Sequence, residues 1–193
     1  MTDSPTFTAV AFSGSLRRDS SNTGLVNMAA RLAPAELHVD VVNDAVFALP
    51  FYNADLEEDV PPEVQRWRDL VTAADAVIIG MPEYNFGPSA VAKNAIDWVS
   101  RPFGALALTG KVIAMLTSGG KGGGSRVQAG IGPILGLLGN TVVEDSPVHI
   151  ALGADRIQAD GTTADPDVEA AVLGKLDALL RALRGATAGD AES

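Results

Sequence analysis

The chain has 193 residues, 47% of them apolar, and 24 acidic against 14 basic side chains give it a net charge of −10. That length suits one domain with a substantial core and is too short for two comfortable ones, and the charge repels nucleic acid and anionic membrane surfaces at long range. Cysteine is absent, which excludes disulfides, thiolate nucleophiles and cysteine relays and leaves any redox chemistry to a bound cofactor.

No apolar run reaches the ~18 residues needed to cross a bilayer, and the first residues (MTDSPTFTAV) lack the basic segment and cleavage site of a signal peptide. A soluble, cytoplasmic protein with neither a nucleic-acid nor a membrane partner is expected. Residues 8–12 form a first strand, buried on both faces because polar and apolar residues do not alternate. They deliver GSLRRDSSN, residues 14–22, ahead of a helix on Leu25, Met28, Ala29 and Leu32 that Pro34 ends. A strand handing hydroxyls and an arginine to a helix start is the arrangement that holds a phosphate. Ser15, Ser20, Ser21 and Thr23 can donate hydroxyls, Arg17 a charge-assisted fork, and the free amides the rest; no metal is required. The plainer alternative is a serine-rich helix cap with two surface arginines.

Residues 37–42 are a second strand, more alternating and so nearer an edge, running into the acidic stretch FALPFYNADLEED, for which an irregular surface loop and a functional connection are equally good readings. Pro61 and Pro62 open a helix with Val64, Trp67, Leu70 and Val71 on one face, which places Trp67 in the core. Residues 76–80 (AVIIG) read as a central parallel strand that delivers MPEYNFGPS. Val91, Ala95, Trp98 and Val99 then mark a helix closed by Pro102.

Residues 111–117 are a fourth strand, followed by the glycine cluster SGGKGGGS. Helical spacing resumes with Val127, Ile131, Ile134, Leu135 and Leu138, where Gly130, Gly132 and Pro133 are expected to kink or break the helix. Residues 141–143 and 148–152 supply a last strand split by Pro147. Asp165-Pro166 starts a closing helix on Val168, Val172, Leu176, Leu179, Leu180 and Leu183, and residues 185–193 read as a disordered tail.

Strands and helices alternate without repeat or linker, which predicts one α/β domain over residues 1–184: a doubly wound, five-stranded parallel sheet with helices on both faces. Five strands favour the flavodoxin-like order 2-1-3-4-5. GSLRRDSSN, MPEYNFGPS and TSGGKGGGS then follow neighbouring strands and meet at one carboxyl edge, where one ligand can touch all three. Neither a dinucleotide GxGxxG nor a Walker GxxxxGK[ST] threads through the glycine cluster, which argues against a Rossmann dehydrogenase and a P-loop NTPase.

GSLRRDSSN matches the signature GSLRxxSxN, and with PEYN at 82–85, KNAIDW at 93–98 and the glycine loop followed by Arg126 and Gln128, residues 9–138 resemble the NADPH-dependent FMN reductase family, a flavodoxin-like flavoprotein group that includes chromate, quinone and azo-dye reductases. The resemblance implies bound FMN, hydride transfer from NADPH or NADH, and ping-pong delivery to a quinone, azo compound, metal oxyanion or free flavin as the small-molecule electron acceptor. It implies a cofactor site of Ser15, Arg17, Ser20, Ser21 and Asn22 from the first loop, Pro82, Glu83, Tyr84, Asn85 and Phe86 from the second, and Ser118, Gly119, Gly120 and Gly123 from the third. In that site Pro82 stiffens the exit from the strand, the following amides face the polar edge of the ring, Tyr84 covers its apolar edge, and the glycines let backbone approach where a β-carbon would block it.

No side-chain acid or base is implied, and His38 and His149 on the strands read as structural. The helix over 89–100 resembles the segment that builds the family's homodimer, sometimes paired into a tetramer, although Trp98 fits an ordinary core equally well. Three features depart from the pattern: Pro88 stands one position early with Ser89 in the proline's place, Ile131-Gly132-Pro133 replaces a Leu-Arg pair, and Asp19 must turn away from a bound anion. Two rival functions share the fold: an electron carrier of the flavodoxin type, whose loop T/S-x-T-G-x-T differs from GSLRRDSSN, and a non-enzymatic nucleotide-binding sensor.

Overall fold

The computed structural model describes residues 7–102 and 107–190; the first six residues of the expected domain and the last three of the expected tail lie outside them. In chain order the elements are β1 (Phe7–Ser13), α1 (Ser21–Leu32), β2 (Leu37–Val41), α2 (Asn43–Phe47), α3 (Pro62–Ala73), β3 (Ala76–Gly80), a hairpin of β4 (Glu83–Tyr84) and β5 (Gly87–Pro88), and α4 (Ala90–Val99). Then come β6 (Val112–Gly119), α5 (Ser125–Leu137), β7 (Thr141–Val142), β8 (Val148–Ala151) and α6 (Pro166–Asp190).

The main sheet is parallel throughout, in the order β2-β1-β3-β6, with the fifth position shared by two short strands. β7 pairs with the start of β6 (Val112 opposite Thr141) and β8 with its end (Leu116 opposite Val148). This is the expected order, with the last strand split as Pro147 predicts, since proline has no N–H for the ladder. Lys175 from α6, only 1% exposed, serves the detour between the halves: its ammonium donates to the carbonyls of Val143 (2.9 Å) and Asp145 (2.6 Å).

Both faces of the sheet are covered, and this explains the continuous apolar runs of β1, β3 and β6. Alternate side chains of a strand point to opposite faces. Ala9, Ala11, Ile78, Ala114 and Leu116 pack under α1 and α6, whereas Val10, Phe12, Val77, Ile79, Ile113 and Met115 pack under α2 to α5. Trp67 is core, edge-on to Phe12 at 5.3 Å with its indole N–H donating to Ala95 O. Trp98 is core as well, donating to Pro50 O at 2.8 Å.

Three local expectations are corrected. α5 runs unbroken through Pro133. Val127, Ile131 and Leu135 anchor its inner side, while Pro133 and Ala129, the residue whose carbonyl loses its donor, are both exposed, on the side of the helix open to solvent. α6 continues to Asp190 past the expected end of order at residue 185; Arg184 pairs with Glu36 and Thr187 bonds back to the carbonyls of Leu183 and Arg184. The segment after β2 holds α2 and a 3-10 turn, Ala54–Glu57, in place of a wholly irregular loop.

Candidate functional site

The parallel ladder continues one step past the strand ends. Gly14 N–H donates to Gly80 O and Met81 N–H to Leu116 O, both at 2.8 Å, so the loops after β1, β3 and β6 leave the sheet side by side. A β-carbon on Gly14 would lie 2.6 Å from Ser89 Oγ, 2.8 Å from Ala92 Cβ and 2.9 Å from Pro82 Cδ. Glycine there lets the first loop pass against the start of α4. Ser89 uses the contact: its hydroxyl donates to Gly14 O at 2.7 Å and accepts from Ala92 N, so it caps α4 and ties it to the loop. The serine that departs from the expected pattern therefore has a structural task of its own.

Between the three loops lies a cavity of ≈ 500 Å³, within the roughly 300–1,000 Å³ of small-molecule sites. The first loop contributes Ser15, Arg17, Ser20, Ser21 and Asn22, the second Pro82, Glu83 and Tyr84, and the third Ser118, Gly119 and Gly120. Asn85, Phe86 and Gly123 do not line it, and Asp19 is exposed outside it. Leu152, Ala154 and Asp155, from a fourth loop after β8, complete the wall. Sequence reasoning missed this fourth loop. The topology could have announced it, because a fifth parallel strand must also end at this edge.

Side chains within the first loop divide into two sets. The Asn22 side chain is committed to the third loop, its Nδ2 donating to Ser118 O (2.9 Å) and its Oδ1 accepting from Ser118 N (3.0 Å), and Ser118 Oγ donates to Ser21 Oγ (2.8 Å), which keeps its own proton. Thr23 is committed to Ser13, its hydroxyl donating at 2.9 Å. Ser15 and Ser20 hydroxyls accept from Arg17 N and Thr23 N, which leaves their own protons to donate. The Arg17 guanidinium has no protein partner among the described residues, and the first-turn N–H groups of Ser21 and Asn22 precede the first intrahelical bond, made by Gly24 N.

The second loop is a tight hairpin whose central residues, Asn85 (φ 50°) and Phe86 (φ 67°), both lie in the left-handed region, as a two-residue turn of this type requires. Phenylalanine rarely adopts that backbone. The Arg126 guanidinium lies 5.1 Å over its ring. Glu83 does not point a free carboxylate at the cavity: Oε2 accepts from Val127 N at 3.1 Å in the first turn of α5, and Oε1 lies 3.8 Å from Arg126 Nη1. Tyr84 is 55% exposed beside the opening.

In the third loop, Gly123 (φ 60°) and Gly124 (φ 88°) serve packing more than access. A β-carbon on either would sit 2.6 Å from the His149 backbone or 2.7 Å from Thr117 Cβ. Gly120 differs, since a β-carbon there would meet nothing within 4 Å. His149, beneath this loop, keeps Nε2 buried without a partner among the described residues. Burial, then the Lys175 charge, lowers its pKa, and Glu83 opposes them. His38 lies on β2 outside the cavity.

A protein-family model described as NADPH-dependent FMN reductase matches residues 7–155. A 2-hydroxy-1,4-benzoquinone reductase of a Burkholderia species is 34% identical over 155 residues, covering 80% of this chain and 84% of its own length. An NAD(P)H-dependent FMN reductase of Pseudomonas aeruginosa is 33% identical over 181 residues, covering 91% and 96%. Among solved structures, the flavoenzyme NAD(P)H:(acceptor) oxidoreductase FerB of Paracoccus denitrificans superposes with a TM-score of 0.82 at 32% identity, over 93% of this chain and 98% of its own.

Proposed function

The chain belongs to the NADPH-dependent FMN reductase family, and from that premise we propose that the cavity at the ends of β1, β3 and β6 is where FMN and its two substrates meet. The protein is an FMN-dependent NAD(P)H oxidoreductase. The observation that carries the site assignment is the convergence of three loops, each of family character, on one cavity.

The donor set fits the group. A phosphate monoester needs several N–H and O–H donors and one cation. Ser15 and Ser20 hydroxyls, the Ser21 and Asn22 amides and the Arg17 guanidinium supply them. In a protein of net charge −10 the anion is held by these local groups against the overall field. A flat ring fits the remaining slot between Pro82–Glu83–Tyr84 and the bare backbone of Gly119–Gly120.

The chemistry FMN supplies when bound is hydride acceptance from the nicotinamide and two-electron delivery to a second substrate. The chain's own residues bind, orient and screen. Arg17 neutralises the phosphate, the loop amides present dipoles to the ring edge, and Tyr84 shields its apolar side. No side-chain acid or base is assigned to the transfer. A quinone or free flavin is the proposed acceptor, in line with the names of the relatives.

We also propose a homodimer in the cytoplasm. No helix among the described residues is long and apolar enough to cross a membrane. Since Trp98 is buried in its own chain, a dimer contact through α4 would use the outward residues of that helix. One spectrum of the purified protein before and after NADH or NADPH tests the reading: a flavin band that bleaches supports it, and a colourless protein that fails to bind added FMN refutes it. Light scattering tests the dimer.

A further inference from the structure

Four non-glycine residues among those described have positive φ: Asn85, Phe86, Ser146 and Leu152. Of these, Leu152 (φ 52°, ψ 34°) is the one that lines the cavity between the loops. A left-handed backbone crowds the β-carbon against the following carbonyl, so glycine adopts it routinely and leucine rarely. Here the turn imposes it. Leu152 N–H donates to Gly119 O (2.9 Å) and Gly120 O (3.3 Å), and the chain passes at once into the 3-10 turn Gly153–Asp155, where a β-carbon on Gly153 would run into Ser118 Oγ.

The backbone conformation suits glycine, yet a leucine occupies it. Its side chain leaves the residue 54% exposed, so packing within the chain does not offset the strain, and strain of this kind persists at sites that use the residue. The cation of the fourth loop is turned to other work: Arg156 lines a second concavity of ≈ 640 Å³ that begins at Asp155, and there its Nε and Nη2 are held by Asp165 Oδ2 at 2.8 and 2.6 Å. What the loop gives the first cavity beside Asp155 is apolar, Leu152 and Ala154.

β6 pairs with β3 on one side and with β8 on the other, so the second and fourth loops flank the third. Tyr84 and Leu152, both half-exposed, therefore stand on either side of the bare Gly119–Gly120 backbone. An aliphatic side chain has no hydrogen bond to offer a phosphate; the part of FMN that it matches is the ring, whose polar atoms lie at the rim and whose faces are apolar. We infer that Leu152 is a contact of the flavin ring, closing the slot on the side of the third loop opposite Tyr84, and that leucine stands in a position built for glycine because the ring needs its side chain. This rests on the reading that the cavity holds FMN.

The test is titration of the full chain, freed of flavin, with FMN and with riboflavin, read by quenching of flavin fluorescence, beside thermal melts. Leu152→Gly removes side chain and strain together, Leu152→Ala removes most of the side chain and keeps the strain, and both keep the N–H bonds to the third loop. Each variant should bind FMN and riboflavin more weakly by about three- to tenfold, as the partial burial of one leucine requires, and by the same factor for both, because the two ligands share the ring. The Leu152→Gly protein should melt ~1–4 °C above the Leu152→Ala protein. Affinities equal to those of the natural chain overturn the inference, and so does a loss confined to FMN, which would place Leu152 at the phosphate. A Leu152→Gly protein that melts below Leu152→Ala also overturns it, since the position would then not favour glycine. A natural chain that binds neither flavin overturns the reading of the cavity, and the inference with it.

Discussion

Asn22 and Ser118, 96 positions apart in the chain, exchange two hydrogen bonds, amide nitrogen to carbonyl at 2.9 Å and backbone nitrogen to amide oxygen at 3.0 Å. One side chain thereby satisfies both backbone groups of a residue in another loop, and fixes the spacing of the cavity's two walls. Asn22→Leu orphans a buried N–H and a buried C=O, each costing about 1–3 kcal/mol. We expect a loss of ~2–6 kcal/mol in denaturant unfolding, together with weaker FMN binding. Unchanged stability would show that the two loops do not depend on this bond pair.

Arg17 presents the opposite case, an exposed side chain with no protein partner among the described residues. Arg17→Ala should leave the unfolding midpoint within error while weakening FMN by at least about tenfold, the scale of one charge-assisted hydrogen bond. Titration by quenching of flavin fluorescence reads the affinity. Equal affinity in the variant would remove Arg17 from the phosphate site.

Two glycines separate packing from access. At Gly14 a β-carbon would meet three atoms at 2.6–2.9 Å, so Gly14→Ala should cost about 1–3 kcal/mol of stability by overpacking. At Gly120 it would meet no protein atom within 4 Å. Gly120→Ala should therefore leave stability within about 0.5 kcal/mol and still reduce FMN affinity, because the added methyl would occupy the slot offered to the ring. Thermal melts of the two apo variants beside their FMN titrations check both halves.

Lys175 makes a pH-dependent contribution whose sign follows from burial. Desolvation lowers its pKa from 10.5 to about 8, against the opposing pull of Asp145 and Glu144. Between those values the unfolded chain holds the proton and the folded chain has released it, so this group's contribution to stability rises with pH, by at most ~1.4 kcal/mol per pH unit. Below about pH 8 its burial penalty is present in full. The stability of the natural chain minus that of Lys175→Met should accordingly grow from pH 8 to pH 10.5. A difference that stays flat across this window would mean that the folded chain keeps the charge.

Much of the fold was written in local patterns. The apolar runs of β1, β3 and β6 read as buried strands because a parallel sheet covered on both faces needs both parities apolar; Pro34 follows the end of α1 and Pro147 precedes β8 because proline has no N–H to donate, and Pro62 opens α3 because a first-turn N–H has no intrahelical partner to lose. Loop spacing then announced the cavity, since successive parallel strands must end at one edge. Where the reading failed, the deciding contacts were distant in sequence. Pro133 sits inside an intact α5 because Val127, Ile131 and Leu135 are held by the sheet. Residues 185–190 stay helical as an extension of the docked α6.

The sequence by itself determined which segments form strands, which turns carry hydroxyls, arginine or bare backbone, and that these turns share an edge; each of these follows from residue chemistry at short range. Only the tertiary structure decided which groups remain free to act. The Asn22 side-chain amide and the Glu83 carboxylate look like ligands in the chain but are engaged by Ser118, Val127 and Arg126, while Asp155, unremarkable in sequence, stands at the junction of two cavities. A polar atom is available to a ligand only when no neighbour has claimed its hydrogen bond, and neighbours are assigned by folding.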